Sequence, residues 1–196
     1  DNTAQELLER NFSGNVRLLR NNSSAGLPAT ANKAFDMARG DYIIRLDADD
    51  VFAEGSIWKM VEYLDKHDRV AAVYPGYYTL YSDTDKWGSD IWILRADLND
   101  PRRDHHPGCA MIRKKCWNEV KYNESLKANE GFDFYLRFRN KFEIGYIDEP
   151  LWWYRRHGKN KTENEALVAA EKEKIIRLNS KLKPIEDILA PIGEYY

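Results

Sequence analysis

The stretch PATANKAFDMARGDYIIRLDADD, Pro28 to Asp50, holds a helix, a stop, a strand and an acidic turn in close succession. Its first half is helical in composition and closes at Gly40, a residue suited to the left-handed backbone that ends many helices. The segment DYIIRLD then packs apolar residues densely enough for a central strand. Three carboxylates follow at once, Asp47, Asp49 and Asp50. Groups this close repel one another unless water, backbone donors or a cation screens them. Asp favours turns in any case. The cluster therefore reads as a plain turn or as a ligand site at the C-terminal end of a strand, where α/β folds bind ligands.

The same alternation continues on both sides. Upstream, TAQELLERN reads as a helix with Thr3 as N-cap, and Asn15 to Asn21 as a short strand. Downstream, SIWKMVEYLDKHD places Ile57, Met60, Val61 and Leu64 on one helical face. VAAVYPGYYTLYS reads as a strand broken at Pro75-Gly76. Residues 83–107 are polar, turn-rich and studded with Trp, the composition of a long functional loop. CAMIRKKCW is a short strand and helix, GFDFYLRFRNKF a helix, and EIGYIDEPLWWYRRH a strand with its exit. Thr162 and Glu165 form a capping box for a last helix. That helix carries Leu167, Glu171, Ile175, Leu178 and Leu182 on one face and stops at Pro184. Strands alternating with helices predict an α/β sheet with crossover helices.

Composition narrows the function. The chain has 196 residues, 43% hydrophobic, 32% charged, with a formal net charge of -2. Without a basic excess, no general affinity for nucleic acid is expected. No apolar run approaches the ~20 residues of a membrane helix, although peripheral membrane contact is compatible with the sequence. Cys109 and Cys116 do not make a disulfide framework and read as reduced thiols of a cytosolic protein. The chain opens on DNTAQELLERN without an initiator Met and is read as a fragment of a longer protein.

Three chemistries use Asp-x-Asp after a strand. A calcium loop of the EF-hand type needs Gly and Glu where Phe52 and Trp58 stand, which excludes it. A haloacid-dehalogenase-type phosphatase would use Asp47 as nucleophile and Asp49 as general acid. It also needs a later acidic metal pair, which YIDEP does not supply. A nucleotide-sugar transferase would use the carboxylates to hold Mg²⁺ or Mn²⁺ against the sugar-nucleotide diphosphate.

The surroundings of the turn favour the third. The segment NNSSAGLPATANKAFDMARGDYIIRLDADD resembles family 2 glycosyltransferases of the GT-A fold, at Gly26, Asn32, Ala38, Gly40, Asp41, Tyr42 and Asp47 to Asp50. HHPGCAMIRKKCW, NEGFDFYLRF and YRRHGKNKT resemble later motifs of the same family in the right order. The resemblance implies a mixed central sheet flanked by helices, with residues 1–162 as a partial catalytic domain lacking its first strands. Residues 163–196 are a C-terminal amphipathic helix and tail. It further implies an inverting transfer from a nucleoside-diphosphate sugar to a glycan, lipid-linked or other hydroxyl acceptor. Cell-surface polysaccharide or lipopolysaccharide assembly and a cytoplasmic, optionally membrane-associated location follow by analogy.

The resemblance assigns roles residue by residue. Asp49 and Asp47 hold the cation, with Asp47 also contacting ribose or sugar. Gly26 and Asn32 bind substrate, and Arg155 and His157 approach the diphosphate, Arg155 suiting bidentate phosphate contacts. His106 lines the acceptor side. Asp50 either caps the following turn or supports the cation's ligands from behind. The family's usual base position falls on Gly131, which takes no proton, so the base is Glu130 or Asp133. Gly131 keeps a second reading open, a GT-A-like domain that binds nucleotide-sugar or glycan without catalysis.

Overall fold

The computed structural model describes residues 3–10, 14–81, 109–157, 160 and 164–182. Helices α1 (Thr3–Glu9) and α2 (Gly26–Met37) precede strand β1 (Tyr42–Ile43). Strand β2 (Val51–Phe52) and helix α3 (Ser56–Lys66) follow the acidic turn. The chain continues through β3 (Val70–Tyr81), β4 (Met111–Arg113), α4 (Lys114–Trp117), α5 (Glu130–Arg139), β5 (Glu143–Arg156) and α6 (Glu165–Leu178). Among the described residues no helix is long and apolar enough to cross a membrane.

The five strands form one sheet in the order β1-β4-β3-β5-β2. β3 and β5 pair in parallel, and the other pairs are antiparallel. Alternate side chains of each strand enter opposite layers, as the two-residue strand period requires. Val73 and Met111 pack with Met60 and Leu64 of α3. Ala72, Tyr74 and Ile112 pack on the other face with Trp117, Phe134, Phe138 and Ile175. The Phe35 ring meets Trp117 edge-on at 4.6 Å, which carries α2 into this aromatic layer. Each such side chain, fully buried, stabilises the fold by about 1.5–3 kcal/mol. Arg113 pins the first layer, donating from Nε to Val70 O at 2.8 Å and from NH2 to Leu64 O at 2.7 Å.

Several local expectations are corrected. The segment Asn15–Asn21 pairs with no strand among the described residues, and Val16 and Leu18 stand exposed. An apolar run becomes a strand only when a ladder partner satisfies its backbone. Among the described residues Tyr42–Ile43 lies at the sheet's edge rather than its centre and pairs with β4 alone. Helix α2 ends at Met37 with extended backbone at Ala38, and Gly40 is not left-handed. At Gly40 a Cβ would lie 3.1 Å from Tyr42 O, so the position needs closeness rather than a positive φ. Pro75-Gly76 does not break β3; the strand runs through them with a register shift, because its N–H-deficient residue sits at a bulge. Ile57 and Leu178 are exposed instead of joining their helical faces. The N-cap of α6 is Asn164, whose side chain accepts from Leu167 N at 3.1 Å, while Thr162 lies outside the described residues. His106 and the stretch 83–107 also lie outside them.

Candidate active site

The acidic turn is closed by its own backbone, Asp50 N donating to Asp47 O at 3.1 Å. It is then fastened to two distant parts of the chain. On one side β2 pairs with β5, Val51 opposite Trp153 and Phe52 opposite Trp152. This pairing brings the exit of β5 beside the turn. Arg155 N donates to Asp50 Oδ1 at 2.9 Å, and Arg155 Nε donates to Asp49 O at 3.0 Å. His157 Nε2 lies 3.1 Å from Asp49 Oδ2. Asn160 holds this exit in shape, accepting from His157 N and donating to Arg155 O, both at 2.8 Å.

On the other side Arg45, two residues before the turn, reaches across to α5. Its NH2 donates to Asp47 Oδ2 at 3.1 Å, and its Nε lies 2.9 Å from Asp47 Oδ1 as an ion pair rather than an aligned hydrogen bond. Its NH1 lies 3.3 Å from Glu130 Oε1. The guanidinium carbon sits 5.8 Å from the centre of the Tyr122 ring. Burial opposes the charge on Arg45, but Tyr122, Asp47 and Glu130 more than offset it and raise its pKa. Burial raises Asp47 despite Arg45, and burial pushes the Tyr122 hydroxyl up to about 12. Sequence reasoning passed over Arg45. Its signal was available, a cation inside an otherwise apolar strand two residues from a carboxylate cluster.

The two base candidates separate. Glu130 begins α5 and faces Arg45. Asp133 is only 1% exposed and points elsewhere. Its Oδ2 takes Arg137 NH2 at 2.6 Å, and its Oδ1 accepts from Asn179 Nδ2 at 2.9 Å. With both oxygens engaged away from Arg45, Asp133 holds α5 to α6. Asn32 is likewise committed: its side chain clasps the backbone of Tyr122, donating to the carbonyl and accepting from the N–H, each at 3.0 Å. It also donates to Glu124 Oε1 at 2.8 Å. Asn32 thus supports the ring beneath Arg45, with both of its amide hydrogens engaged. Gly26 opens α2 with φ 79° and is exposed. Asp50 does not cap a turn in the expected sense; it is 6% exposed and joins the turn to β5. Its Oδ2 finds no hydrogen-bond partner among the described residues, and burial pushes the carboxyl up to about 7.

Asp47 and Asp49 are differently placed for holding a cation. Among the described residues no three His, Cys, Asp or Glu side chains converge as a closed cation site. Both oxygens of Asp47 face Arg45. The half-exposed Asp49 and His157 present one oxygen and one nitrogen 3.1 Å apart. Mg²⁺ is bound in many enzymes by one or two protein ligands together with substrate phosphates, and Mn²⁺ accepts imidazole as well as oxygen ligands. The donor set therefore fits a cation whose remaining positions are filled by water and a diphosphate.

Comparison with known proteins identifies the family and the fold. Residues 1–161 match the model of the family described as glycosyl transferase family 2. An uncharacterised glycosyltransferase of Methanocaldococcus jannaschii is 26% identical over 165 residues, which cover 78% of this chain and 55% of the relative. The glycosyltransferase GlyG of Streptococcus pneumoniae is 23% identical, over 72% of this chain and 52% of its own length. The chain thus spans about half the length of these relatives. The structure of S. aureus TarS residues 1-349 with UDP-GlcNAc superposes with a TM-score of 0.70 at 15% identity, covering 97% of this chain and 58% of that one. That likeness establishes the GT-A fold expected from the sequence. With the family model running from the first residue through the acidic turn and the β5 exit, the chain belongs to glycosyl transferase family 2.

Proposed function

We propose that this chain forms the cation-binding and acceptor-activating part of an inverting glycosyltransferase. One observation carries the proposal: the acidic turn is tied to Asp49–His157 on one side and, through Arg45, to Glu130 on the other. A donor clamp and a proton acceptor thereby flank the acidic turn. Asp49 and His157 would hold Mn²⁺ or Mg²⁺, which when bound offsets charge on a leaving diphosphate. Glu130 receives the proton of an acceptor hydroxyl as that oxygen attacks the anomeric carbon. The nucleoside diphosphate departs from the opposite face, so the configuration inverts. Arg45 holds Glu130 in place and neutralises Asp47 beside the anionic donor.

The donor is a nucleoside-diphosphate sugar, and the TarS complex makes UDP-GlcNAc the first to try. The acceptor is a glycan or lipid-linked alcohol of cell-surface polysaccharide assembly, a reading supported by family analogy. The test uses the full-length protein, Mn²⁺ and a panel of donors and acceptors. Asp49→Ala and His157→Ala should each weaken Mn²⁺-dependent donor binding. Glu130→Gln should bind donor normally and lose transfer by about 10²–10⁴-fold. Wild-type transfer by Glu130→Gln removes the base assignment. Donor binding without transfer or donor hydrolysis in the wild type, across the panel, would favour a non-catalytic binding domain.

A further inference from the structure

Helix α6 begins at Glu165, beyond the residues matched by the family model. It is nevertheless fastened to the segment that delivers Glu130, at four successive points. Ser125 O accepts from Lys174 Nζ at 2.6 Å. Lys127 N donates to Glu171 Oε2 at 3.2 Å, and Glu171 is itself 8% exposed. Asn129 Nδ2 donates to Val168 O at 3.0 Å. Asp133 accepts from Asn179, just past the helix end. Ile175, fully buried, carries the same helix into the aromatic layer.

Asn129 is the informative member. It is the N-cap of α5 and has φ 56° and ψ 23°, the only positive φ of a non-glycine among the described residues. An Asn at this position ordinarily has extended backbone and turns its side chain back onto its own helix. Here it makes no such cap and gives its amide to the neighbouring helix. Its carbonyl still starts α5, accepting from Asp133 N at 3.2 Å. The left-handed turn sets the direction in which the next residue leaves, and that residue is Glu130. The contact from Glu130 to Arg45 is 3.3 Å, at the long end for a hydrogen bond, so a small drift of the loop breaks it.

We propose that α6 is a brace for the acid-bearing loop, and that Asn129 and Glu171 are positioning residues for Glu130. The proposal rests on Glu130 as the proton acceptor. A loop of this length without the brace samples several directions for the carboxylate. With it, the carboxylate is held at one distance from the acidic turn. A misplacement of about 1 Å costs up to about a hundredfold in rate without weakening substrate binding in proportion.

The experiment measures transfer by the full-length protein with Mn²⁺ and its best donor. Asn129→Gly keeps the left-handed backbone accessible and removes only the tether. Glu171→Ala removes the acceptor for Lys127 N, whereas Glu171→Gln retains one. The expected result is kcat lowered about tenfold or more in Asn129→Gly and Glu171→Ala, with donor KM unchanged, and near wild-type kcat in Glu171→Gln. If Asn129→Gly folds poorly, the Glu171 pair carries the comparison. Wild-type kcat in folded Asn129→Gly or Glu171→Ala overturns the brace. So does a loss of folded protein with kcat per folded molecule unchanged. Glu130→Gln, assayed alongside, separates the two ideas: if it transfers normally, the base assignment fails, whereas if it is inactive and the brace variants are normal, only the brace fails.

Discussion

Replacing Arg45 with Met removes a guanidinium from between two carboxylates while keeping much of its apolar stem. The side chains of Arg45 and Glu130 are 12% and 11% exposed, and that of Asp47 is 29% exposed. Deleting one partner of a buried ion pair costs about 3–5 kcal/mol, because the other charge is left without compensation. Asp47 can regain some hydration, and the bond to Glu130 is long, so the expected loss is about 2–3 kcal/mol at pH 8. For a domain of this size that corresponds to about 4–12 °C in Tm. The loss should depend on pH. Burial already raises the folded-state pKa of Asp47, and without Arg45 it rises further. A carboxyl with a raised folded pKa binds protons more tightly folded than unfolded, so stability is lost as pH rises through its folded value. The gap between wild type and Arg45→Met should therefore be small near pH 4 and widest at pH 8. Urea unfolding at both pH values measures it, with Arg45→Lys expected between the two. A gap below ~0.5 kcal/mol at pH 8, within the range of ordinary surface substitutions, would show that the bridge is not what joins the turn to α5. A gap of equal size at both pH values would show that the effect is packing rather than charge.

Two further predictions concern the buried carboxylates. Asp50, pushed up to about 7 by burial, has a folded pKa above its unfolded value. Its contribution is present below about pH 4 and is lost as pH rises toward 7, by about 4 kcal/mol. Asp50→Asn, unfolded by urea in chelator between pH 4 and 8, should show a flatter profile than wild type; parallel profiles would exclude Asp50 as the titrating group. Asp133→Ala leaves Arg137 and Asn179 without their shared acceptor and should cost about 3 kcal/mol. Transfer per folded molecule should fall no further than in the brace variants, because the lost bond is one of those that tie α6 to α5. Retained stability with transfer as low as in Glu130→Gln would instead make Asp133 the proton acceptor.

The periodic segments were legible from sequence because each carries its signal locally. Helix α3, strands β3 and β5, and helix α5 all lie where apolar spacing put them. The acidic turn was legible as well, since three aspartates at a strand end are visible without any partner. Edge and centre were not legible for β1, because Tyr42 and Ile43 are apolar enough for either and only pairing distinguishes them. Asn15–Asn21 shows the same limit, an apolar pattern whose fate depends on a ladder partner elsewhere.

What the amino-acid order determined by itself is the family, the helix and strand alternation, and the inventory of candidate groups. What only tertiary structure decided is which of them face one another. Asp47 and Asp49 are two residues apart, yet one is turned to Arg45 and the other to His157. Glu130 and Asp133 share the first turn of one helix, yet only Glu130 meets the acidic turn, while Asp133 is buried against Asn179. Polar groups separated by about a hundred residues meet here at about 3 Å, and no local spacing encodes that distance. It arises when β2 pairs with β5 and α5 packs beneath the sheet, because those contacts set the directions in which short, charged side chains can reach.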